Sequence, residues 1–222
     1  MVARLEACLV DAYDTIVSCD FSALRRELPA LAGIPADAFT AEYDLRHAPL
    51  NDGRLSKAEA FAEILRACGR EPRAALVREM VRADQELLLA NARLYDDVIP
   101  FLERLRARGI KTAVVSNCTQ NTRPMLVALG VAALADALVL SCEVGAAKPA
   151  AEIFRSALGR LGVDAAAALF VDDQPGFCAG STAVGISTVQ IVRGEPDGTA
   201  PDGTTVVRSL PEVEAMFGLD GE

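Results

Sequence analysis

The chain has 222 residues, of which 51% are hydrophobic, and it carries a formal net charge of −9. This length and apolar content exclude a disordered chain and suffice for one large domain, or for a core domain with a smaller insert. The negative charge argues against nucleic acid or an anionic membrane surface as the main partner. It does not exclude an anionic substrate, because a local lysine or a metal ion can outweigh the overall field.

Cysteine and histidine usage narrows the class further. Six scattered cysteines, with no CxxC pair, predict reduced thiols in a cytoplasmic protein. The first residues do not resemble a signal peptide, and no apolar run reaches the roughly 18 residues of a transmembrane helix, so no membrane partner is expected. His47 is the only histidine, which argues against a Ser–His–Asp triad and against a multi-histidine metal site.

The first predicted element is a buried strand at residues 7–10, which ends abruptly at Asp11. Residues 20–91 then show helical spacing with no clear buried strand. Four helices are predicted there, starting near residues 20, 35, 56 and 72. The third has a capping-box sequence, in which Ser56 precedes Glu59 by three residues. We therefore expect residues 18–92 to form an inserted four-helix cap domain.

Strands alternate with helices in the remainder of the chain. Strands are predicted at residues 111–115, 137–140, 168–171 and 187–191, and helices at 100–108, 119–129, 150–161, 176–184 and 210–217. Residues 194–204, rich in Gly, Pro, Asp and Thr, are predicted to be an exposed loop. Apolar strands between helices are typical of a parallel sheet covered on both faces. The predicted fold class is α/β, a Rossmann-like doubly wound parallel sheet built from residues 1–17 and 93–222, with the cap domain inserted.

Polar side chains follow three of the predicted strands. They are Asp11, Tyr13 and Thr15 after the first strand, Ser116 and Asn117 after the second, and Asp172 and Asp173 after the fourth. The carboxyl ends of strands in open α/β sheets are where ligands bind. Lys148, before Pro149 at a predicted helix start, is one of only three lysines. Held near buried carboxylates, it would neutralise them and bind an anionic group.

In type and order, these segments resemble the motifs of the haloacid dehalogenase superfamily, in the subgroup with a helical cap after the first strand. The resemblance is carried by residues 11–15, 115–117, 139–154 with Lys148-Pro149, 169–175, and the glycine pattern at 180–185. It covers essentially the whole predicted core. The family resemblance implies a hydrolase with a covalent aspartyl-enzyme intermediate and a small-molecule substrate.

The resemblance also implies roles for single residues. Asp11 would be the nucleophile and would form an aspartyl ester that water later hydrolyses. Thr15 or Ser116, with nearby backbone N–H groups, would hold the oxygens of the transferred group. Asn117 completes the Ser–Asn motif and is counted with the catalytic residues, and Lys148 would offset the negative charge.

The same resemblance implies a Mg²⁺ site and a substrate pocket. Asp173, with Asp172, would bind Mg²⁺ alongside Asp11 and the main-chain carbonyl of Tyr13, because oxygen ligands suit a hard cation. The expected substrate-binding side chains are those of Tyr13, Arg46, Cys118 and Phe177. The substrate is expected to be anionic, and the sequence leaves the oligomeric state open.

The sequence departs from both enzyme types of the family. Phosphatases carry a second Asp two residues after the nucleophile, which protonates the leaving alkoxide, and Tyr13 occupies that position here. Tyrosine, with an ordinary pKa near 10, is a poor replacement acid, and Asp14 would point elsewhere. Asp-Ala-Tyr is the sequence of haloacid dehalogenases, because a halide leaves without a proton. Those enzymes, however, have serines where this chain has Asp172 and Asp173, and they need no metal.

Further positions are mixed. Phe177 stands where a second metal-side Asp is usual, and Phe154 stands where dehalogenases have a tyrosine. Arg46 is the candidate for the cap arginine of dehalogenases. Lys57 is the only candidate for the cap lysine that phosphonate cleavage needs, but we expect it to be exposed in the first turn of its helix.

Three functions remain open from the sequence. The first is Mg²⁺-dependent phosphoryl hydrolysis of a small molecule with a good leaving group, such as an acyl phosphate. The second is metal-independent dehalogenation of a 2-haloacid. The third is a binding or assembly role in a member that keeps the fold and has lost part of the catalytic machinery.

Overall fold

The computed structural model describes residues 5–194, 204–216 and 218. The loop predicted at residues 194–204 therefore lies almost wholly outside the described residues, as do residues 1–4. None of the helices in the described part of the chain is both long and apolar enough to cross a bilayer.

The first part of the chain contains one core strand and four helices. The elements are β1 (Ala7–Val10), β2 (Val17–Cys19), α1 (Ser22–Ala32), α2 (Ala36–Asn51), α3 (Lys57–Ala67), α4 (Ala74–Asn91) and β3 (Ala92–Leu94). The four helices pack around an apolar cluster of their own, which includes Leu28, Phe39, Phe61, Ile64 and Met80. The predicted insertion of four helices is confirmed by this arrangement.

The second part of the chain alternates helices and strands. The elements are α5 (Val98–Ala107), β4 (Lys111–Ser116), α6 (Thr122–Ala128), α7 (Val131–Leu134), β5 (Ala137–Leu140), α8 (Ser141–Val144), α9 (Ala151–Leu161), a 3-10 turn (Ala165–Ala167), β6 (Ala168–Asp172), α10 (Pro175–Ala183), β7 (Ser187–Ile191), β8 (Thr205–Val207) and α11 (Leu210–Met216).

Six strands form one parallel sheet in the order β5-β4-β1-β6-β7-β8. β1 lies in the middle, and its side chains alternate between the two faces. Cys8 and Val10 join an apolar cluster with residues of α5, α6 and α11, whereas Ala7 and Leu9 join a second cluster with residues of α9. Burial on both faces explains why this strand is continuously apolar, and it confirms the predicted doubly wound α/β fold.

Local sequence signals agree with several of the observed helix ends. Ser56 caps α3, because its hydroxyl accepts a hydrogen bond from Glu59 N at 3.2 Å, and Glu59 Oε2 accepts one from Ser56 N at 2.9 Å. The helix predicted to start near residue 35 is α2, which includes Pro49 and ends at Asn51. The helix predicted at 119–129 is shorter and is followed by α7, after Gly130 with φ +80°.

Candidate active site

A buried ion pair network joins the carboxyl ends of β1 and β6. Lys148 Nζ donates hydrogen bonds to Asp11 Oδ1 and to Asp172 Oδ2, each at 2.5 Å, and the Lys148 side chain is fully buried. Burial by itself lowers the pKa of Lys148, but the charges of Asp11 and Asp172 outweigh it and raise that pKa. The lysine is therefore a fixed cation between two carboxylates.

The backbone at Lys148 is held by the loop after β4. Asn117 Oδ1 accepts a hydrogen bond from Lys148 N at 2.7 Å, and Asn117 Nδ2 donates one to the Lys148 carbonyl at 2.8 Å. Both polar atoms of the Asn117 side-chain amide thus form hydrogen bonds with the backbone of Lys148. In this structure Asn117 orients the lysine, although it also lines the neighbouring cavity.

Three carboxylates converge beside the lysine. Oxygen atoms of Asp11, Asp172 and Asp173 lie within 4.8 Å of one another, a spacing that could hold a metal ion. With the Lys148 ammonium, the cluster carries two net negative charges when all three acids are ionised, which matches one divalent cation. Burial and the charge of Asp11 raise the pKa of Asp173 to about 6, and burial raises the pKa of Asp172, with Lys148 opposing it.

The two acids at the carboxyl end of β6 have different partners. Asp172 is fully buried and accepts a hydrogen bond from Gln174 N at 2.8 Å in addition to the one from Lys148. Asp173 is only partly buried and accepts a hydrogen bond from Gln174 Nε2 at 2.5 Å. Asp173 is consequently the more available metal ligand, and Asp172 supports Lys148.

Two buried hydroxyl groups near the ends of β1 and β4 have no hydrogen-bond partner among the described residues. They belong to Thr15, in the turn after Asp11, and to Ser116, the last residue of β4. Since a buried hydroxyl without a partner costs free energy, these donors are suited to the oxygens of a bound group.

The turn after Asp11 carries the two residues that could have replaced the missing acid. Asp14 adopts a left-handed backbone conformation with φ +56°, is exposed, and does not line the cavity described below. Tyr13 lines that cavity, and its hydroxyl forms a hydrogen bond of 2.9 Å with Thr122 Oγ1. Burial raises the pKa of Tyr13 further above its usual value, so its phenol stays neutral and is a weak acid.

A cavity of about 620 Å³ lies between the four-helix insert and the core. Its core-side lining includes Tyr13, Asn117, Cys118, Thr119 and Asn121, and its insert-side lining includes Phe21, Leu24, Leu28, Phe39, Tyr43, Lys57, Asp84 and Leu88. Tyr13 and Cys118 therefore lie where substrate-binding residues are expected. The pKa of the Cys118 thiol is raised, first by its hydrogen bond with Cys142 and then by burial, so this thiol is not a nucleophile.

Two other expected substrate-binding residues lie elsewhere. Arg46 does not line this cavity, because its guanidinium pairs with Glu42 at 2.7 Å and with Glu63 at 3.0 Å on the insert surface. Phe177 also lies outside the cavity lining, and its ring centroid is 4.8 Å from Lys148 Nζ. Phe177 therefore supports the lysine through a cation–π contact.

The structure overturns the expectation that Lys57 is exposed. Its side chain is 5% exposed and forms an ion pair of 3.0 Å with Asp84, which is 2% exposed. Lys57 Nζ also donates a hydrogen bond to the Tyr43 hydroxyl at 2.8 Å. Lys57, the first residue of α3, faces the cavity, whereas Ala58 and Glu59 in the same turn are exposed. The local sequence did not indicate this difference.

Sequence reasoning also missed two supporting residues on and after β7. Gln190 is buried and donates a hydrogen bond to the Asp173 carbonyl at 2.9 Å. Arg193 donates to the Thr15 carbonyl at 2.9 Å and forms two hydrogen bonds with Asp97. A polar residue within a buried strand was the only signal for Gln190, and Arg193 had none.

The α/β fold with its cluster of aspartates and a lysine is typical of one class of hydrolase, and sequence comparison identifies the family. The haloacid dehalogenase-like hydrolase family matches residues 5–176. The chain belongs to this family.

Its relatives include both phosphatases and dehalogenases. The chain is 27% identical over 223 residues to "Phosphatase MT3486" of Mycobacterium tuberculosis, covering 98% of each protein. It is 30% identical over 208 residues to "(S)-2-haloacid dehalogenase 4A" of Burkholderia cepacia, covering 87% of this chain and 85% of that protein. A "Glyceraldehyde 3-phosphate phosphatase" of Methanopyrus kandleri is 36% identical over 137 residues, which span 61% of this chain and only 59% of that protein.

Solved structures support the fold. A phosphatase of the family from Thermococcus onnurineus superimposes with a TM-score of 0.68 at 24% identity, covering 96% of this chain and 98% of that one. The chain is therefore a hydrolase of this family with its Rossmann-like core, and the relatives leave open whether it is a phosphatase or a dehalogenase.

Proposed function

We propose that the protein is a Mg²⁺-dependent phosphohydrolase that acts on a small anionic molecule with a good leaving group. The observation that carries the proposal is the cluster of Asp11, Asp172 and Asp173 beside Lys148. A metal-independent reaction at Asp11 gives no reason for two further buried or partly buried carboxylates, whose mutual repulsion costs free energy.

The donor set suits Mg²⁺. The carboxylates of Asp11 and Asp173 and the main-chain carbonyl of Tyr13 would hold the ion, with Asp172 in support through Lys148. When bound, the ion would supply positive charge that allows an anionic phosphoryl group to approach the carboxylates.

The residues of the chain then divide the reaction between them. The Asp11 carboxylate attacks phosphorus, the bond from phosphorus to the leaving oxygen breaks, and that oxygen keeps the electron pair. Lys148 and the hydroxyl groups of Thr15 and Ser116 hold the remaining phosphoryl oxygens. Water later attacks phosphorus and frees Asp11, releasing inorganic phosphate. Because Tyr13 is a weak acid, the leaving group must be stable as an anion.

We propose that the chain divides into a catalytic core domain and a cap domain. Residues 1–17 and 93–222 would form the catalytic core domain, and residues 18–92 the cap domain, which covers Asp11 and lines the cavity. The antiparallel pairing of β2 with β3, at the two crossings between core and insert, supports these boundaries. The scattered free cysteines support a cytoplasmic location.

Dehalogenation of a 2-haloacid is the second candidate, and Tyr13 favours it. A halide leaves without needing a proton, so the weak acidity of Tyr13 would not hinder that reaction. The third possibility, a binding or assembly role without catalysis, would leave the ion pair network without a chemical purpose.

One paired assay separates these functions. We expect purified protein to release phosphate from acetyl phosphate and from an aryl phosphate with Mg²⁺, and to lose this activity in EDTA. Asp11→Asn should lower turnover at least about 10³-fold, because the nucleophile is removed. Asp164→Asn serves as the control, because Asp164 precedes the 3-10 turn and belongs neither to the carboxylate cluster nor to the cavity lining.

Chloride release from 2-chloropropionate that is indifferent to EDTA would overturn the proposal in favour of dehalogenation. No turnover of any of these substrates would favour a role without catalysis.

A further inference from the structure

The ion pair between Lys57 and Asp84 lies in the wall of the cavity, where stability alone does not explain it. Both side chains are almost completely buried, and their charged atoms are 3.0 Å apart. Removing two charges from water costs several kcal/mol, and an apolar pair of similar volume often stabilises a fold as well or better. The pair therefore calls for a functional explanation.

The hydrogen bonds of this network leave two donors without acceptors. Lys57 Nζ donates to Asp84 Oδ1 and to the Tyr43 hydroxyl, which uses two of its three N–H groups. The Tyr43 hydroxyl accepts that bond, and its own proton has no acceptor among the described residues. Both side chains line the cavity, so a bound molecule can reach both donors.

The charge of the network is already balanced. Asp84 Oδ1 accepts from Lys57, and Asp84 Oδ2 accepts from Asn121 Nδ2 at 2.6 Å. At this network an added carboxylate would meet a neutral ion pair and would lose its hydration without gaining an unpaired charge from Lys57. The further cation that lines the cavity is Arg25, on α1 rather than in this network. A neutral acceptor, such as a carbonyl oxygen, fits the two donors better.

Apolar and aromatic side chains form part of the remaining insert-side wall, beside the polar residues Arg25, Thr40, Asp44, His47 and Asn51. Phe39 stacks on Tyr43 with ring centroids 6.3 Å apart, and the other apolar contributors are Phe21, Leu24, Leu28 and Leu88. Such a wall favours an aromatic or similarly apolar body. A phenolate is also a more stable leaving group than an alkoxide, which agrees with the weak acidity of Tyr13.

We propose that Lys57 and Tyr43 determine substrate specificity by binding a neutral hydrogen-bond acceptor on an aromatic leaving group. The substrate class is thus an aryl phosphate whose ring carries a carbonyl or a similar neutral acceptor. This inference rests on the proposed phosphohydrolase function. Asn121 lies on the core, so its bond to Asp84 also ties the specificity network to closure of the insert over the core.

The first test compares substrates within each protein variant. We measure kcat/KM for phenyl phosphate, 3- and 4-acetylphenyl phosphate and 4-carboxyphenyl phosphate with the wild type and with Lys57→Met. At least one acetyl substrate should lose about 5–10-fold in the variant, as for one lost hydrogen bond, whereas phenyl and carboxyphenyl phosphate should change less than about twofold. Comparing the variant with the wild type for each substrate cancels leaving-group acidity.

Two further variants guard against trivial effects. Lys57→Met leaves Asp84 buried and unpaired, so the double variant Lys57→Met/Asp84→Asn removes both charges and should show the same substrate pattern. Lys111→Met removes a lysine that bonds the Leu161 carbonyl and does not line the cavity, and should leave all ratios unchanged. Equal losses for every substrate would overturn the specificity role.

A binding measurement separates this inference from the proposed function. The Asp11→Asn protein, with and without Lys57→Met, is titrated calorimetrically with the acetylphenyl phosphates and phenyl phosphate. If binding to the Asp11→Asn protein weakens about fivefold for an acetyl ester only, while the wild type releases no phosphate from any of these esters, the specificity role is supported and the proposed function is overturned. Phosphate release without any dependence on Lys57 would do the reverse. The absence of both turnover and binding would overturn both.

Discussion

In the proposed phosphohydrolase, the side chain two residues after Asp11 would govern which leaving groups the site can accept. Tyr13 lines the cavity and donates to or accepts from Thr122, and its raised pKa keeps the phenol neutral. General acid catalysis is typically worth 10²–10⁴-fold for a leaving group that needs a proton. In the proposed function, the lack of a general acid would therefore restrict the range of substrates. It would not abolish the reaction, because Asp11 and Lys148 remain in place.

Restoring an acid at this position is expected to widen the substrate range. Tyr13→Asp should raise kcat for an alkyl phosphate at least about tenfold, because its carboxyl group can protonate the departing alkoxide. Initial rates over a series of esters with different leaving-group pKa values should show a shallower dependence than in the wild type. Tyr13→Asn, which has a similar shape and no proton to donate, is the control. Equal rate changes in the two variants would contradict the role of proton donation.

The pKa of Asp173 predicts how pH acts on the metal-free protein. Burial and Asp11 raise this pKa to about 6, above the usual value near 3.9 of an unfolded chain. Between these values the folded chain binds more protons than the unfolded one, so stability falls as pH rises from about 4 to about 6. In the proposed Mg²⁺ complex the ion would have to displace this proton, so its binding is expected to weaken as pH falls below about 6.

Thermal unfolding should show the same fall in stability with rising pH. In EDTA, Tm is expected to fall between pH 5 and pH 7, by an amount equivalent to roughly 1 kcal/mol from this carboxyl group. Added Mg²⁺ should raise Tm more at pH 7 than at pH 5. Asp173→Asn should reduce both effects, which separates them from the general repulsion of a chain with net charge −9. A pH dependence that is the same in wild type and variant would refute this assignment.

The residues of the candidate site differ in how far the sequence could predict them. Asp11, Lys148 and Asp172 could be placed together because successive parallel strands bring their carboxyl ends to one edge of the sheet. Lys57 could not, because its burial depends on how α3 packs against α2, α4 and the core. Arg46 does not line the cavity, and only part of the reason is visible in the sequence. Glu42 lies four residues before it on the same helix, but Glu63 becomes its neighbour only when α2 packs against α3.

At the scale of elements, the insert meets the core through one especially close backbone contact. Gly53, in the turn after α2, has φ +75° and faces the carbonyl of Cys142 in α8; an added Cβ would lie 2.1 Å from that oxygen. A backbone oxygen cannot move away as a flexible side chain can. This glycine is therefore required by the contact as well as by its conformation.

A matched pair of glycine variants isolates that contact. Gly69 has a similar φ of +70°, and an added Cβ there would meet nothing within 4 Å. Gly69→Ala should cost about 1 kcal/mol in free energy of unfolding, from the left-handed backbone alone. Gly53→Ala should cost more, or should lower kcat/KM by moving the insert away from the core. Denaturant unfolding and kinetics measure the two effects, and identical behaviour of the variants would argue against the contact.

The short elements were the part of the fold that the sequence could not predict. β1 and β5 were predicted with the bounds that they have, because each is a continuous run of apolar residues. β2, β3 and β8 have three residues each, too few for a periodic pattern to be distinguished from a loop. Their strand conformation comes from pairing with segments that are distant in the sequence.

At the scale of the whole molecule, β2 and β3 form a hairpin into which the four helices are inserted. Cys19 pairs directly with Ala92, so the chain leaves the core and returns to it at neighbouring positions. The insert has an apolar cluster of its own, and within the described part of the chain few hydrogen bonds that involve side chains join it to the core. Lys57 N donates to Gln120 Oε1, Gln85 Nε2 donates to the Asn121 carbonyl, and Asn121 Nδ2 donates to Asp84. This arrangement predicts that the core can fold without the insert.

Replacing residues 20–91 by Asn-Gly, a sequence that favours a two-residue hairpin turn, tests this prediction. The shortened chain should fold cooperatively, with a lower Tm because part of the core surface loses its cover. It should keep Mg²⁺-dependent hydrolysis of acetyl phosphate, which needs only the residues around Asp11, and should lose discrimination among aryl phosphates, which needs the cavity. Circular dichroism and phosphate release measure the two properties, with Asp11→Asn in the same background as the control. A chain that does not fold would show that the insert stabilises the core rather than only covering its site.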